Sequence, residues 1–432
     1  MKVGLVRGRW HSVWESLSCG YLYSATKDLT NIDLYSFWDG YFESDDKIIK
    51  GASECDIVGF SGTTSQMPWS IRIAAAVKER NPNIRIYLGG YGPSVDPGNW
   101  ANRSGVDGVV VGEGEVAWRA IIESEGRERG VIFRPAAQDL DSIPFPDRDF
   151  IQVERCIAIA KKEEGRRVTS VLGNRGCLRR CKFCADGSPL TIYGRKLRER
   201  SPGNILDEME RVRDDHRIEF FKFADAEVNT RPGRAREIAT CFLRRKWEVP
   251  WGGNFLVNPL DGGDAKALYA AGCREVWMGL ESGSPEILQH IGKGTNLATI
   301  RKAFKATKEA GLLRRAYVLM GTPLETKETI KMTEAMIDEV RPDTVSFSIL
   351  APYPGTEYYD EAKHGGLDWE HIDEYGGSNP WRTDALSHEE LLQERLRLIE
   401  KYRGHLSTIM AKKIALGIID TGEIALPWGK EA

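Results

Sequence analysis

Short apolar runs alternate with helical patterning over the first 130 or so residues. Strand-like runs cover residues 2–6, 32–37, 57–61, 84–88 and 108–111, and helical spacing covers residues 17–27, 69–80 and 115–124. Apolar strands alternating with helices predict a parallel, doubly wound sheet. Ligands of such sheets bind on the loops at the carboxyl ends of the strands. Those loops are Ser61-Gly62-Thr63-Thr64, Gly89-Gly90-Tyr91-Gly92-Pro93 and Gly112-Glu113-Gly114-Glu115. None matches the dinucleotide fingerprint G-x-G-x-x-G, and Gly112-Glu113-Gly114 places an acid where a pyrophosphate would sit, which disfavours a nicotinamide cofactor. A plain turn explains any one glycine pair equally well. The three loops together carry the information.

A proline- and aspartate-rich stretch, residues 135–165, has the composition of a linker. A second alternating series follows. Its strands are expected at 169–172, 219–224, 251–254, 275–279, 315–320 and 344–348, and its helices at 203–215, 233–245, 264–271, 285–291, 298–309 and 327–339. Ser201-Pro202 is a good helix start. Six strand–helix units suffice for an open parallel barrel, whose active site would lie at the carboxyl end of the strands. From about residue 356 the pattern changes. Trp369, Tyr375 and Trp381 punctuate a loop, and Ser387-His388-Glu389-Glu390 opens a helix that continues over 391–402. This tail is either a cap on the barrel mouth or a stabilising appendage. The expected layout is therefore α/β: a Rossmann-like doubly wound domain at 1–134, a linker at 135–165, a partial (β/α)6 barrel at 166–355 and a small, mainly helical segment at 356–432.

Composition changes this picture little. The 432 residues are 41% hydrophobic and 28% charged, ordinary for a globular protein. A formal net charge of -3 gives no global basic field for nucleic acid. No apolar run approaches the roughly eighteen residues of a membrane span. Residues 1–6 read as a first strand and not as a signal peptide.

Cysteine placement changes it much more. Of the eight cysteines, Cys19, Cys55, Cys156, Cys241 and Cys273 are scattered among apolar neighbours and read as small buried hydrophobes. A disulfide framework would not look like this, and a reducing cytosol is the consistent compartment. Cys177, Cys181 and Cys184 are different: they stand in Gly-Asn-Arg-Gly-Cys-Leu-Arg-Arg-Cys-Lys-Phe-Cys, spaced C-x3-C-x2-C. Three thiolates hold three irons of a four-iron cluster and leave the fourth open to a reactant. A zinc site would want four closed ligands, or His and carboxylate around an open position, and no His lies near this loop.

At these residues the chain resembles the radical S-adenosylmethionine (SAM) enzymes, and more narrowly the subgroup with an N-terminal cobalamin-binding-type domain. The trio, with Phe183 just before its last cysteine, matches that family's cluster motif. The resemblance implies a 4Fe-4S cluster whose open iron takes the amino and carboxylate groups of SAM. Reductive cleavage then yields a radical that abstracts hydrogen from the substrate. Later segments match in order. Phe223-Ala224-Asp225-Ala226-Glu227 resembles a segment near the SAM methionyl group, with Asp225 and Glu227 alternating onto one side; the ordinary alternative is a strand-end turn. Gly279-Leu280-Glu281-Ser282-Gly283 resembles a segment where an acid and a small polar residue contact SAM; Glu281 is otherwise a helix N-terminal acid. The segment 317–325, with Gly321, resembles one that packs near the adenine, and 351–356 resembles the sixth-strand exit; core strand and turn are the plain readings.

In the first domain, Ser61, Thr63 and Thr64 match the hydroxyl-bearing loop of cobalamin-binding domains, Gly89-Gly90 the glycine pair, and Gly112 and Glu113 the segment ending the sheet. The glycines would let a nucleotide tail approach the backbone. One departure is clear: the D-x-H-x-x-G motif that supplies a histidine to cobalt is absent, and only His11 lies near the first loop. Gln66, Met67 and Trp69 are candidates to cover the cobalt's lower face, with a core role the equal reading for Trp69. A methylthiotransferase would carry a second cysteine trio, and only Cys19 and Cys55 lie in this domain.

The resemblance implies a cobalamin-dependent methyltransferase acting on an unactivated carbon, or on phosphorus, of a small molecule, or else the same cofactors used for rearrangement, cyclisation or oxidation. It also implies an electron donor such as flavodoxin or ferredoxin. The basic run Arg175, Arg179, Arg180, Lys182, Arg195, Lys196, Arg198 and Arg200 lacks the interleaved aromatics of a nucleic-acid platform. It fits the SAM carboxylate, an anionic substrate or a reductant's acidic surface better.

Overall fold

The structure, a computed structural model, describes residues 1–187, 192–193, 196–372 and 379–403. The chain forms two compact units, one of residues 1–156, 184–198 and 352–372, the other of residues 157–183, 199–351 and 373–432.

The first unit is built on six parallel strands, β1 (Lys2–Arg7), β2 (Leu34–Asp39), β3 (Ile57–Ser61), β4 (Arg85–Gly89), β5 (Gly108–Val111) and β6 (Gly130–Phe133), in the order β2-β1-β3-β4-β5-β6. The chain leaves β1 to one side for β2 and returns on the other for β3, so the ends of β1 and β3 form the crevice where open α/β sheets bind ligands. Helices α1 (Leu17–Ser24), α2 (Asp45–Ala52), α3 (Met67–Arg80) and α4 (Gly114–Glu123) cover the sheet. From α3, Trp69, Ile73, Ala74 and Val77 join Val58, Phe60, Ile86 and Leu88 in one buried cluster. On Gly59 a Cβ would lie 2.9 Å from the Trp118 ring of α4, so glycine permits this close packing.

Two differences from the sequence reading stand out. Strand β6 was not expected: only Ile132 of its four residues is buried, so an edge strand leaves little apolar signal. The linker-like stretch is packed. Phe150 stacks on Tyr23 at 3.9 Å, Arg148 pairs with Glu15 at 2.9 Å, and helix α5 (Val153–Glu164) follows. Proline and aspartate here make turns over an aromatic core and do not make a free spacer.

The second unit holds β7 (Val168–Val171), β8 (Phe220–Phe223), β9 (Trp251–Phe255), β10 (Cys273–Glu281), β11 (Leu313–Met320) and β12 (Thr344–Ile349), all parallel and adjacent in sequence order. This is the open, six-stranded partial barrel expected from the alternation. The connecting helices are α6 (Pro202–His216), α7 (Arg234–Arg244), α8 (Gly262–Ala270), α9 (Pro285–His290), α10 (Leu297–Glu309) and α11 (Lys327–Val340). Side chains of Ser201, Asp261, Asn296 and Thr326 each accept a backbone N–H of the first turn, at 3.2, 2.8, 2.9 and 3.3 Å. Trp251 is fully buried, with Phe223 and Phe242 at centroid distances of 5.0 and 5.6 Å.

Residues 356–372 of the tail fold with the first unit, and residues 379–403 pack on the second. Helix α12 (His388–Tyr402) follows β12, where Arg395 donates to the Phe347 carbonyl at 2.9 Å. Ahead of it, the Trp381 indole N–H donates to the Gly321 carbonyl. These contacts brace β12 and cover the turn at Gly321. Tyr375 and residues 404–432 lie outside the described residues. No helix among the described residues is long and apolar enough to cross a membrane.

Candidate active site

The cysteine loop leaves the carboxyl end of β7. Its first turn is held by Asp225, whose carboxylate accepts the Gly173 N–H at 2.8 and 3.0 Å and the Asn174 N–H at 2.5 Å. Asp225 is 2% exposed, and burial pushes its carboxyl up to about 7 against the pull of those two amides. Strand β8 stops at Phe223, so Asp225 and Glu227 lie just past it. They divide the work: Asp225 braces the loop, and Glu227 reaches the cysteine. The Cys177 thiol donates to Glu227 Oε1 at 3.0 Å and accepts the Arg179 N–H at 3.3 Å. Burial first, then the Glu227 charge, holds the Cys177 thiol well above its ordinary value. Cys181 is pushed up to about 11 by burial, opposed by Lys293 and reinforced by Glu281 and Glu227.

The loop is pinned on either side. Arg179 donates to the Asn258 carbonyl at 2.7 Å, and the Lys182 N–H donates to the Ile291 carbonyl at 3.0 Å. After Ile291 the chain turns through Gly292 and Gly294, at φ +70 and +71, and presents Lys293 between them. Lys293 pairs with Glu281. Glu281 ends β10 with φ +61, where its ladder with β11 slips between Gly279 and Glu281. A non-glycine residue held there costs on the order of 1–3 kcal/mol and marks functional sites. Glu281 is therefore a strand-end residue aimed at an ammonium and does not begin a helix. Ser282 is 1% exposed, and its hydroxyl sits 3.2 Å from Thr333 Oγ1 and accepts the Ser284 N–H at 3.1 Å, a packing role. Gly321 has φ +84, and Leu391 and Trp381 of the tail would lie 3.2 Å from a Cβ there, so the tail covers this turn. Phe183 and Cys184 are half-buried.

Two residues of the basic run are neutralised by buried carboxylates. Arg198 pairs with Glu113, and Arg200 with Glu208, with both pairs buried. Arg195 lies outside the described residues.

In the first unit the carboxyl-end loops bond to one another. The Gly8 N–H donates to the Ser61 carbonyl at 3.0 Å, the Gly62 N–H to Gly89 at 3.1 Å, and the Gly92 N–H to Gly62 at 3.2 Å. Ser61 Oγ lies 3.1 Å from Ser18 Oγ, and Thr63 is exposed, whereas Thr64 is buried. Gly90 has φ +102, and a Cβ there would lie 2.5 Å from the Gly62 carbonyl, so this glycine serves the loop-to-loop contact. At Gly89 a Cβ would make ordinary contact with Val110 at 3.8 Å, so the packing here does not itself demand glycine. Gly112, at φ +89, donates its N–H to Ser94 Oγ at 3.1 Å. The Gln66 amide is committed: Nε2 donates to the Gly8 carbonyl at 2.7 Å and Oε1 accepts the Thr63 N–H at 2.8 Å. Trp69 and Met67 are 1% and 0% exposed in the α3 core, and Trp69 Nε1 donates to Asp45 at 3.2 Å. Helical spacing places both side chains in the core, with Met67 packed directly beneath Gly62 and Gly92 of the crevice loops.

Known proteins match both halves. The Radical SAM superfamily model matches residues 171–337 and the B12 binding domain model residues 3–122. The chain belongs to the radical SAM enzymes that carry a B12-binding domain. An uncharacterized methyltransferase of Pyrococcus horikoshii is 29% identical over 334 residues, covering 73% of this chain and 71% of the relative. The anaerobic magnesium-protoporphyrin IX monomethyl ester cyclase of Rubrivivax gelatinosus is 26% identical over 427 residues, covering 92% and 74%. In fold, the chain is similar to the radical SAM methyltransferase TsrM of Kitasatospora setae, solved with tryptophan substrate and a SAM analogue (TM-score 0.68, 20% identity, 82% of this chain and 74% of that one).

The cofactors of this radical SAM enzyme are a 4Fe-4S cluster, SAM and cobalamin. Its residues suit them. Among the described residues no three His, Cys, Asp or Glu side chains converge on one point as a single ion requires. A four-iron cluster instead takes its thiolates at separate corners, and three cysteines of one short loop are available to supply them. The exposed Thr63 and the half-buried Gly89-Gly90 backbone, on neighbouring crevice loops, suit the polar nucleotide tail of cobalamin.

Sequence reasoning missed Lys293 and Tyr91. For Lys293 the signal was present in Ile291-Gly292-Lys293-Gly294, a lysine between two turn glycines. Tyr91 was seen only as part of a glycine loop, and its partner Asp186 lies 95 residues away.

Proposed function

We propose that this enzyme methylates an unactivated carbon of a small molecule, using SAM and cobalamin. The observation that carries this reading is the join, in one chain, of a B12-binding sheet to a radical SAM barrel that keeps all three cluster cysteines. The cluster, when bound, supplies reductive cleavage of SAM, and cobalamin, when bound, supplies a methyl carrier.

The chain's own residues do the positioning. Cys177, Cys181 and Cys184 hold the cluster. Glu281 and Lys293, paired in the structure, would part to receive SAM: the Glu281 carboxylate would accept an N–H of its amino group and Lys293 would donate to its carboxylate. Glu227, beside Cys177, would add a second acceptor for that amino group. Asp225 fixes the loop from behind. Ser61, Thr63, Gly89, Gly90, Gly112 and the backbone around them form the cobalamin floor. A small acidic protein of the flavodoxin or ferredoxin kind delivers electrons near Arg180, which is exposed on the cluster loop.

The test is anaerobic reconstitution with hydroxocobalamin, a reductant and methyl-labelled SAM. Label on cobalamin or product, with S-adenosylhomocysteine and 5′-deoxyadenosine both formed, is expected. Label reaching neither overturns the proposal. The cyclase relative supports a second reading, radical chemistry without methyl transfer. It predicts 5′-deoxyadenosine without S-adenosylhomocysteine.

A further inference from the structure

The third cysteine heads a segment, residues 184–198, that folds with the first unit. Two carboxyl-end loops of the six-stranded sheet grip this segment near both ends. Tyr91, next after Gly89-Gly90, donates its hydroxyl to the Asp186 carboxylate two residues beyond Cys184. Its ring meets Tyr193 edge-on at 6.1 Å. Glu113, next after Gly112, pairs with Arg198, with side chains only 4% and 10% exposed. Arg198 also donates to the Ala137 carbonyl. Between these anchors, a Cβ on Gly112 would lie 3.4 Å from the Ile192 carbonyl.

The loops assigned to cobalamin are thus the loops that hold the chain leaving Cys184. Resting on that assignment, we propose that Tyr91 and Glu113 are positioning residues that couple cobalamin binding to the placement of Cys184, so that cobalamin and cluster each favour the other. A hydrogen bond to a charged group, and a buried ion pair that loses one partner, are both large enough to transmit such a bias. Coupling of this kind is reciprocal in the binding equilibria. A merely structural strap behaves differently: loosening it harms the cluster to the same extent whether or not cobalamin is present.

The deciding measurement is the Kd for hydroxocobalamin of cluster-reconstituted and cluster-free full-length protein, followed by tryptophan fluorescence. Wild type is expected to bind about fivefold or more tightly with the cluster present. Its reduced-cluster electron paramagnetic resonance signal is expected to change when cobalamin is added. In Tyr91→Phe and Glu113→Gln the affinity ratio falls toward one while bound iron stays at the wild-type level. A measurable Kd that is equal in the two wild-type forms overturns the coupling and leaves the cobalamin assignment standing. Failure of both forms to bind cobalamin overturns the assignment and the coupling with it. A ratio that survives in both variants also overturns it. The wild-type comparison decides the matter even if a variant fails to fold.

Discussion

Glu227 accepts the thiol proton of Cys177 at 3.0 Å, so the acid next to the cluster loop is oriented by the cysteine that will hold iron. On the proposed reading, binding of iron by that sulfur would remove this hydrogen bond and leave Glu227 to face SAM. Glu227→Gln is therefore expected to keep wild-type iron and sulfide while SAM cleavage slows by about tenfold. Cys177→Ala is expected to lose both. Iron analysis alongside 5′-deoxyadenosine release separates the two, and wild-type cleavage by Glu227→Gln would remove the acid from the SAM site.

The Glu281–Lys293 pair gives a second prediction. If the pair opens to receive the SAM zwitterion, Lys293→Met and Glu281→Gln should each weaken SAM binding by about tenfold to a hundredfold, the range of one charged hydrogen bond. The double variant should lose less than the sum of the two. Strict additivity in equilibrium dialysis would show that the two residues meet SAM independently of each other.

Stability should depend on pH in a definite direction. Burial pushes both Asp225 and Glu325 up to about 7, from ordinary values of 3.8 and 4.5. The folded chain then binds more protons than the unfolded chain across that interval. On account of these groups stability is therefore greatest below about pH 4 and falls as pH rises to about 7, by on the order of 3 kcal/mol or more per group. Other groups superimpose their own slopes, so the test is differential. Asp225→Asn and Glu325→Gln should flatten the urea-midpoint profile over this range, and profiles parallel to wild type would contradict the raised values.

Gly321→Ala tests the tail's cover. The position has φ +84, and the new methyl would press on Leu391 and Trp381 at 3.2 Å. A loss on the order of 1–3 kcal/mol is expected from backbone strain alone. Trp381→Phe, which removes the indole donor to the Gly321 carbonyl, should cost about 1 kcal/mol. Thermal melts of both variants check this.

How much of this was legible in the sequence depends on range. The cysteine trio was plain because its spacing is local. The two sheets were plain because each strand is a short apolar run, and the exception, Gly130–Phe133, is an edge strand with one buried residue. Asp225 and Glu227 were read as a pair facing one way. The strand ends at Phe223, and the turn sends one to the loop backbone and the other to the thiol. Trp69 carried two readings because a helical stripe does not say what it packs against, and the answer was the core. Gly90 was read as room for a nucleotide and proved to be room for Gly62. Tyr91 and Asp186 could not be paired from the sequence at all, since no local rule joins residues so far apart in the chain.

The hydrogen bonds from Gly8 to Ser61, from Gly62 to Gly89 and from Gln66 back to Gly8 have a thermodynamic consequence. The floor of the crevice is assembled before any ligand arrives, so a corrin docking there orders little backbone. Its affinity should then be set by contact and desolvation and be little diminished by lost chain entropy. A calorimetric titration would register this as a modest heat-capacity change, proportionate to buried surface, without the large excess of a loop that folds upon its ligand.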